Sequence, residues 1–114
     1  MEPDLLPPER LTYEFFSQWL KTTFRVGGDG GGPVELELRE ITPRQVFSSG
    51  GARNRACETF ALTFAGPADR LLPQRMYFFE SERIGRFELF IVPVACDRNG
   101  ALYQATFNRF VEPG

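Results

Sequence analysis

The sequence predicts a mainly β fold: a small antiparallel six-stranded barrel or a compact two-layer sheet, with one short N-terminal helix. Three observations predict it. Apolar and polar residues alternate in steps of two over residues 34–38, 60–64 and 103–107, which is the period of a half-buried strand. The turn residues of "CDRNG", residues 96–100, separate two extended segments and mark a short hairpin. Helical spacing is confined to "LTYEFFSQWL", residues 11–20.

In that segment Thr12 is placed to cap a helix over residues 13–20, and Phe15, Phe16, Trp19 and Leu20 form one apolar stripe. Such a stripe either binds a partner or plugs an end or edge of the chain's own sheet, and the second is the ordinary fate of a single amphipathic helix. Phe24 and Val26 then close a short strand. "GGDGGG" at 27–32 reads as a hairpin loop rather than a phosphate cradle, because the next segment is the strand of Val34, Leu36 and Leu38, with neither a helix nor a P-loop lysine. Residues 42–56, "TPRQVFSSGGARNRA", lack periodicity and read as a long mobile loop. Its Arg44, Arg53 and Arg55 form a second-choice surface for an anion or an acidic partner, against the default of a solvated loop.

"CETFALTFAG" carries the clearest alternation, with Phe60, Leu62 and Phe64 on one face. After the break at "GPADRLLPQ", the segment "RMYFFE" is apolar on both faces, as expected of a strand covered on both sides. In "RFELFIVPVA" Phe87, Leu89 and Ile91 share one face, leaving Glu88, Phe90, Val92 and Val94 on the other. Tyr103, Ala105 and Phe107 mark the inward face of the strand after the hairpin. Pro93 cannot donate to a ladder, so its strand has an edge or a bulge there.

Composition narrows the chemistry. The 114 residues are 42% hydrophobic and 14% aromatic, enough for one core that buries roughly two-thirds of the unfolded chain's surface. One β domain is expected over residues 11–110, between a flexible lead at 1–10 and a tail at 111–114. Thirteen basic against fifteen acidic residues leave a charge of −2, which offers no net positive field to a nucleic-acid backbone. The longest apolar run, "LFIVPVAC", is too short to span a bilayer. The lead "MEPDLLPPER" lacks the basic and apolar regions of a secretory signal, so a cytoplasmic chain is expected.

There is no histidine, which removes the commonest general base and the partner in Ser-His and Cys-His activation. Cys57 and Cys96 are too few for a zinc site and are expected to be free, mostly buried thiols. No cofactor, metal or catalytic residue is assigned.

The features "LTYEFFSQWL", "FAGPADRLLPQRMYFF", "GRFELFIVPVACDRNG" and "LYQATFN" together resemble a family of uncharacterised bacterial proteins of about a hundred residues. The resemblance runs from Leu11 to Asn108. It carries no established activity. What it implies is a setting near proteins similar to phage tail-collar or microcystin-dependent tail-fibre proteins, and hence a small accessory factor for a fibre-like assembly. The glycine run and the arginine-bearing loop look longer here than in that family.

The expected function is therefore a non-catalytic interaction module, an adaptor or chaperone, that contacts a protein partner through an apolar patch or a strand edge. Phe78, Phe90, Val92 and Val94 are its candidate surface unless the helix with Phe16 and Trp19 covers them. Two rivals remain. A small-ligand-binding barrel needs an empty interior, which the twelve phenylalanines argue against. An enzyme working with Glu35, Glu37 and Glu88 needs a deep pocket around those carboxylates.

Overall fold

The computed structural model describes residues 5–27, 32–48 and 56–111. They form a short helix and one antiparallel seven-stranded sheet: α1 (Tyr13–Ser17), β1 (Thr23–Gly27), β2 (Val34–Ile41), β3 (Gln45–Ser48), β4 (Ala56–Gly66), β5 (Arg75–Ser81), β6 (Gly85–Asp97) and β7 (Gly100–Val111). The order is β2-β1-β5-β6-β7-β4-β3, and an added β2–β4 pairing returns the sheet to its first strand. Six strands thus form a closed ring, and the seventh, β3, lies outside it.

Alternation sets the two faces of this ring. Phe24, Leu36, Phe60, Leu62, Phe64, Phe79, Phe87, Ile91 and Tyr103 point inward and are buried. Their rings pack on one another: Phe24 lies 5.5 Å from Phe87 edge-on, and Phe79 stacks on Phe87 at 5.6 Å. The interior is filled by side chains, as in small closed sheets. Phe16 from α1 enters one end and meets Phe87 and Phe107, each at 5.6 Å. Leu72, in the β4–β5 connection, is buried as well. Its backbone N–H donates to the Tyr103 hydroxyl (2.9 Å), and the Tyr77 hydroxyl donates to the Pro73 carbonyl (2.6 Å), which fastens that connection to the ring.

Thr12 caps α1 as expected, its hydroxyl accepting from the Phe15 N–H at 3.1 Å. The helix ends sooner than the expected Leu20. Lys21 takes a left-handed conformation (φ 68°) and its N–H donates to Leu38 O at 2.7 Å, turning the chain so that Thr23 meets Glu37 in the β1–β2 ladder. The reversal needed for strand pairing costs the helix its last turn.

The expected long loop at 42–56 instead contains β3, paired with β4 from Gln45 opposite Thr59 to Ser48 opposite Ala56. The physical reason lies in β4. Its C-terminal half pairs with β2, from Glu37 opposite Ala65 to Ile41 opposite Leu62, so its N-terminal half would carry a bare edge without β3. A four-residue strand among Pro, Ser and Gly gives too little periodicity to find beforehand. The hairpin at "CDRNG" forms with Asp97 opposite Gly100, and the Asp97 carboxylate accepts from Asn99 N–H at 2.8 Å. Glycine is required on both sides of this corner: a Cβ on Gly100 would lie 2.9 Å from Gly66 O, and one on Gly66 would run into Leu36.

Candidate functional site: an open seam between β6 and β7

On the outer face of β5 and β6, Met76 lies opposite Phe90, and Phe78 opposite Glu88. Met76 is 52% exposed, Phe90 47% and Val94 54%, whereas Val92 and Phe78 are half-buried. Phe78 lies beneath the Arg86 guanidinium, 4.2 Å from the ring centre. The helix does not cover this face. Phe16 and its neighbours enter the ring from one end and pack on the inward side of β6, so of the two alternatives open in the sequence the helical cover is the one not realised.

Beside that patch the sheet splits. The β6–β7 ladder runs from Asp97 opposite Gly100 to Val92 opposite Gln104, with a bulge between Pro93 and Ala95, and extends no further among the described residues. Each strand continues in the ladder on its far side: β6 with β5 from Ile91 to Gly85, and β7 with β4 from Ala105 to Val111. The bulge is the irregularity expected at Pro93. The proline lies beyond Ile91, where the β5 ladder ends, so its missing N–H leaves no partner unsatisfied there.

The chain's own lead reaches into the far end of the split. Leu5 bridges to Arg86, and Leu6 N–H donates to Arg86 O at 2.7 Å. Because Glu80 of β5 lies against the other edge of β6 at Arg86, this bridge is on the β7 side. A 3-10 turn at Pro8–Arg10 comes next, and Arg109 donates to Leu11 O at 3.4 Å. Between lead and ladder remains a groove of about 460 Å³, lined on its rims by Glu9, Met76, Glu88, Phe90, Thr106 and Asn108 and on its floor by Leu11, Leu89 and Phe107.

Arg109, at one end of the groove, is engaged by a buried carboxylate. Glu58, inward on β4 and 4% exposed, is held by Arg44 at 3.5 Å and by Arg109, its cross-strand neighbour, at 3.5 Å. Arg44 also meets Glu14 of α1 at 3.1 Å. Arg44 thus lies apart from the Phe90 patch and touches the groove only through Glu58 and Arg109. Arg53 and Arg55 lie outside the described residues.

A second concavity, of about 440 Å³, is lined by Glu35, Glu37, Arg39, Cys96, Asp97 and Asn99 among others. Glu37 is bound to Arg39 at 2.7 Å, and Glu35, Cys96, Asp97 and Asn99 are exposed. Glu88 is on the other groove, so the three carboxylates do not converge. Among the described residues no cluster of three or more Cys, Asp or Glu is placed to hold a metal ion.

A family model described as "Domain of unknown function (DUF6916)" matches residues 11–107. The chain belongs to the DUF6916 family. The matched span takes in α1, all seven strands at least in part, and the groove's lining apart from Pro8, Glu9, Asn108 and Arg109. The DUF6916 chain is also 40% identical over 57 residues to "Ribonuclease Z" of Bradyrhizobium sp. (strain ORS 278), a match that covers 43% of this chain and 19% of that protein. It therefore spans about a fifth of that relative's length. No solved structure matches the DUF6916 chain.

Of the expected surface residues, Phe90, Val92 and Phe78 share the outer face of β5 and β6, and Val94 lies past the bulge. Met76 and the floor residues were not singled out as site residues. The signal for Met76 was present in the two-sided apolarity of "RMYFFE"; the split itself leaves no trace in the residues.

Proposed function

We propose that this DUF6916 domain is a non-catalytic protein-binding module, a cytoplasmic accessory factor whose partner is a tail-fibre-like protein. The observation that carries the reading is the uncovered apolar pair Met76 and Phe90 beside an open groove. The outer face of an antiparallel sheet is ordinarily polar, and apolar side chains grouped on it are a usual mark of a contact surface. The tail-fibre setting rests on the family resemblance alone. Two further points favour binding over catalysis: the carboxylates are dispersed, and the ring is filled with aromatic side chains. Among the described residues no helix is long and apolar enough to cross a membrane.

The test is Phe90→Asp, followed by thermal melting and co-purification with a tail-fibre-like protein co-expressed as the candidate partner. Phe90 is half exposed, so the charge remains solvated and stability is expected to change by about 0.5 kcal/mol or less, while co-purification is lost. A folded variant that still captures the partner removes this face from the contact.

A further inference from the structure

The backbone of the seam is directional, and this deepens the binding reading, on which it rests. Arg86 O is bonded to the lead on the β7 side. In a strand, alternate residues aim both their N–H and C=O to the same edge, so Glu88 and Phe90 also present theirs to the seam. Val92 opposite Gln104 is the last rung of the ladder, and the same alternation aims Thr106 and Asn108 back at β6. Two facing rows of donors and acceptors thus border the groove, with no β6–β7 rung between them among the described residues.

An extended chain satisfies both rows at once. Its side chains would alternate: those turned inward meet Leu11, Leu89 and Phe107, and those turned outward lie beside Phe90 and Met76. The rim also carries Glu9 and Glu88, which have no ion-pair partner among the described residues. Inward positions therefore select aliphatic residues. Outward positions select lysine or arginine, whose stem covers Phe90 while the charged head reaches the carboxylates.

We propose that the seam accepts one extended segment of a partner protein, alternating aliphatic with basic residues, as an added strand between β6 and β7. A second copy of this chain fits less well: its outlying strand β3, Gln45–Ser48, carries no basic residue.

The probe is a capped hexapeptide of alternating valine and lysine, added to isotope-labelled protein and followed by amide NMR and hydrogen exchange. Saturable binding is expected to slow exchange of the Glu88, Phe90, Thr106 and Asn108 amides at least tenfold. The valine–glutamate peptide should bind at least tenfold more weakly, Glu88→Lys should reverse that preference, and a backbone N-methylated valine–lysine peptide should not bind. The proposal is overturned if those four amides are already slow without peptide, if binding is diffuse over the acidic surface, or if protection follows protein concentration alone, which would make the occupant a second copy. Failure here separates from failure of the broader reading. Partner capture that depends on Phe90 without protection of these amides overturns strand addition and keeps the binding face, whereas capture indifferent to Phe90→Asp overturns the binding face itself.

Discussion

Glu58 shows how much a single buried charge can organise. It occupies an inward position on β4, two residues before Phe60, and its oxygens meet Arg44 and Arg109. Through Arg44 the contact extends to Glu14 of α1, and through Arg109 to the Leu11 carbonyl. One carboxylate thus links the segment before β3, the helix, two neighbouring strands and the end of the lead. Glu58→Gln keeps the shape and removes the charge, leaving one of the two guanidinium groups facing an amide donor and the other only a neutral oxygen. Urea unfolding is expected to show a loss of about 1–3 kcal/mol with an unchanged slope. An unaltered midpoint would reduce the network to a surface ornament. The position was legible in part, since "CETFALTFAG" places Glu58 in step with Phe60, but nothing near it in sequence announces that its partners are Arg44 and Arg109.

At the scale of elements, α1 is only five residues long, well below the length at which a helix holds itself together in water. It persists because Phe16 is fully buried against Phe87 and Phe107 and because Thr12 caps it. Phe16→Ala should therefore cost about 3–5 kcal/mol, measured by thermal or urea melting, and release the helix. A loss under about 1 kcal/mol would mean that α1 merely rests on the ring. The helix stripe was plain in the sequence, and its role as a plug was one of two readings open there. Its length was set by Lys21, whose turn serves the pairing of β1 with β2. β3 shows the converse: its existence depends on the unpaired half of β4, so its own four residues carried little sign of it.

For the whole molecule, the ring fixes which distant residues share an end. Cys57 is at the start of β4, while Cys96 pairs with Ala101, which faces Gly66 at the other end of that strand. Nine residues of extended chain place them roughly 30 Å apart, far beyond the reach of a disulfide. Cys96 is exposed and Cys57 half-buried, which departs from the expectation that both thiols are mostly buried. A thiol reagent added to native protein should modify Cys96 at once and Cys57 more slowly, with both equal after unfolding. Equal native rates would mean that the β3–β4 edge opens readily.

The sequence by itself determined the β class, the inward and outward faces, the cap at Thr12 and the hairpin at Gly100, because each depends on neighbours a few residues apart: side chains alternate along a strand, and a turn is made by the residues within it. Tertiary structure alone decided that β2 closes the ring on β4, that β3 covers the remaining edge, that Glu58 is buried between two arginines and that β6 parts from β7 beyond Val92. Those outcomes depend on how strands of unequal length share their edges. β6 and β7 are each committed to a long ladder on the far side, with β5 and with β4. Once both ladders are satisfied, the two strands meet over only part of their length, and the space left between them is the groove beside Phe90.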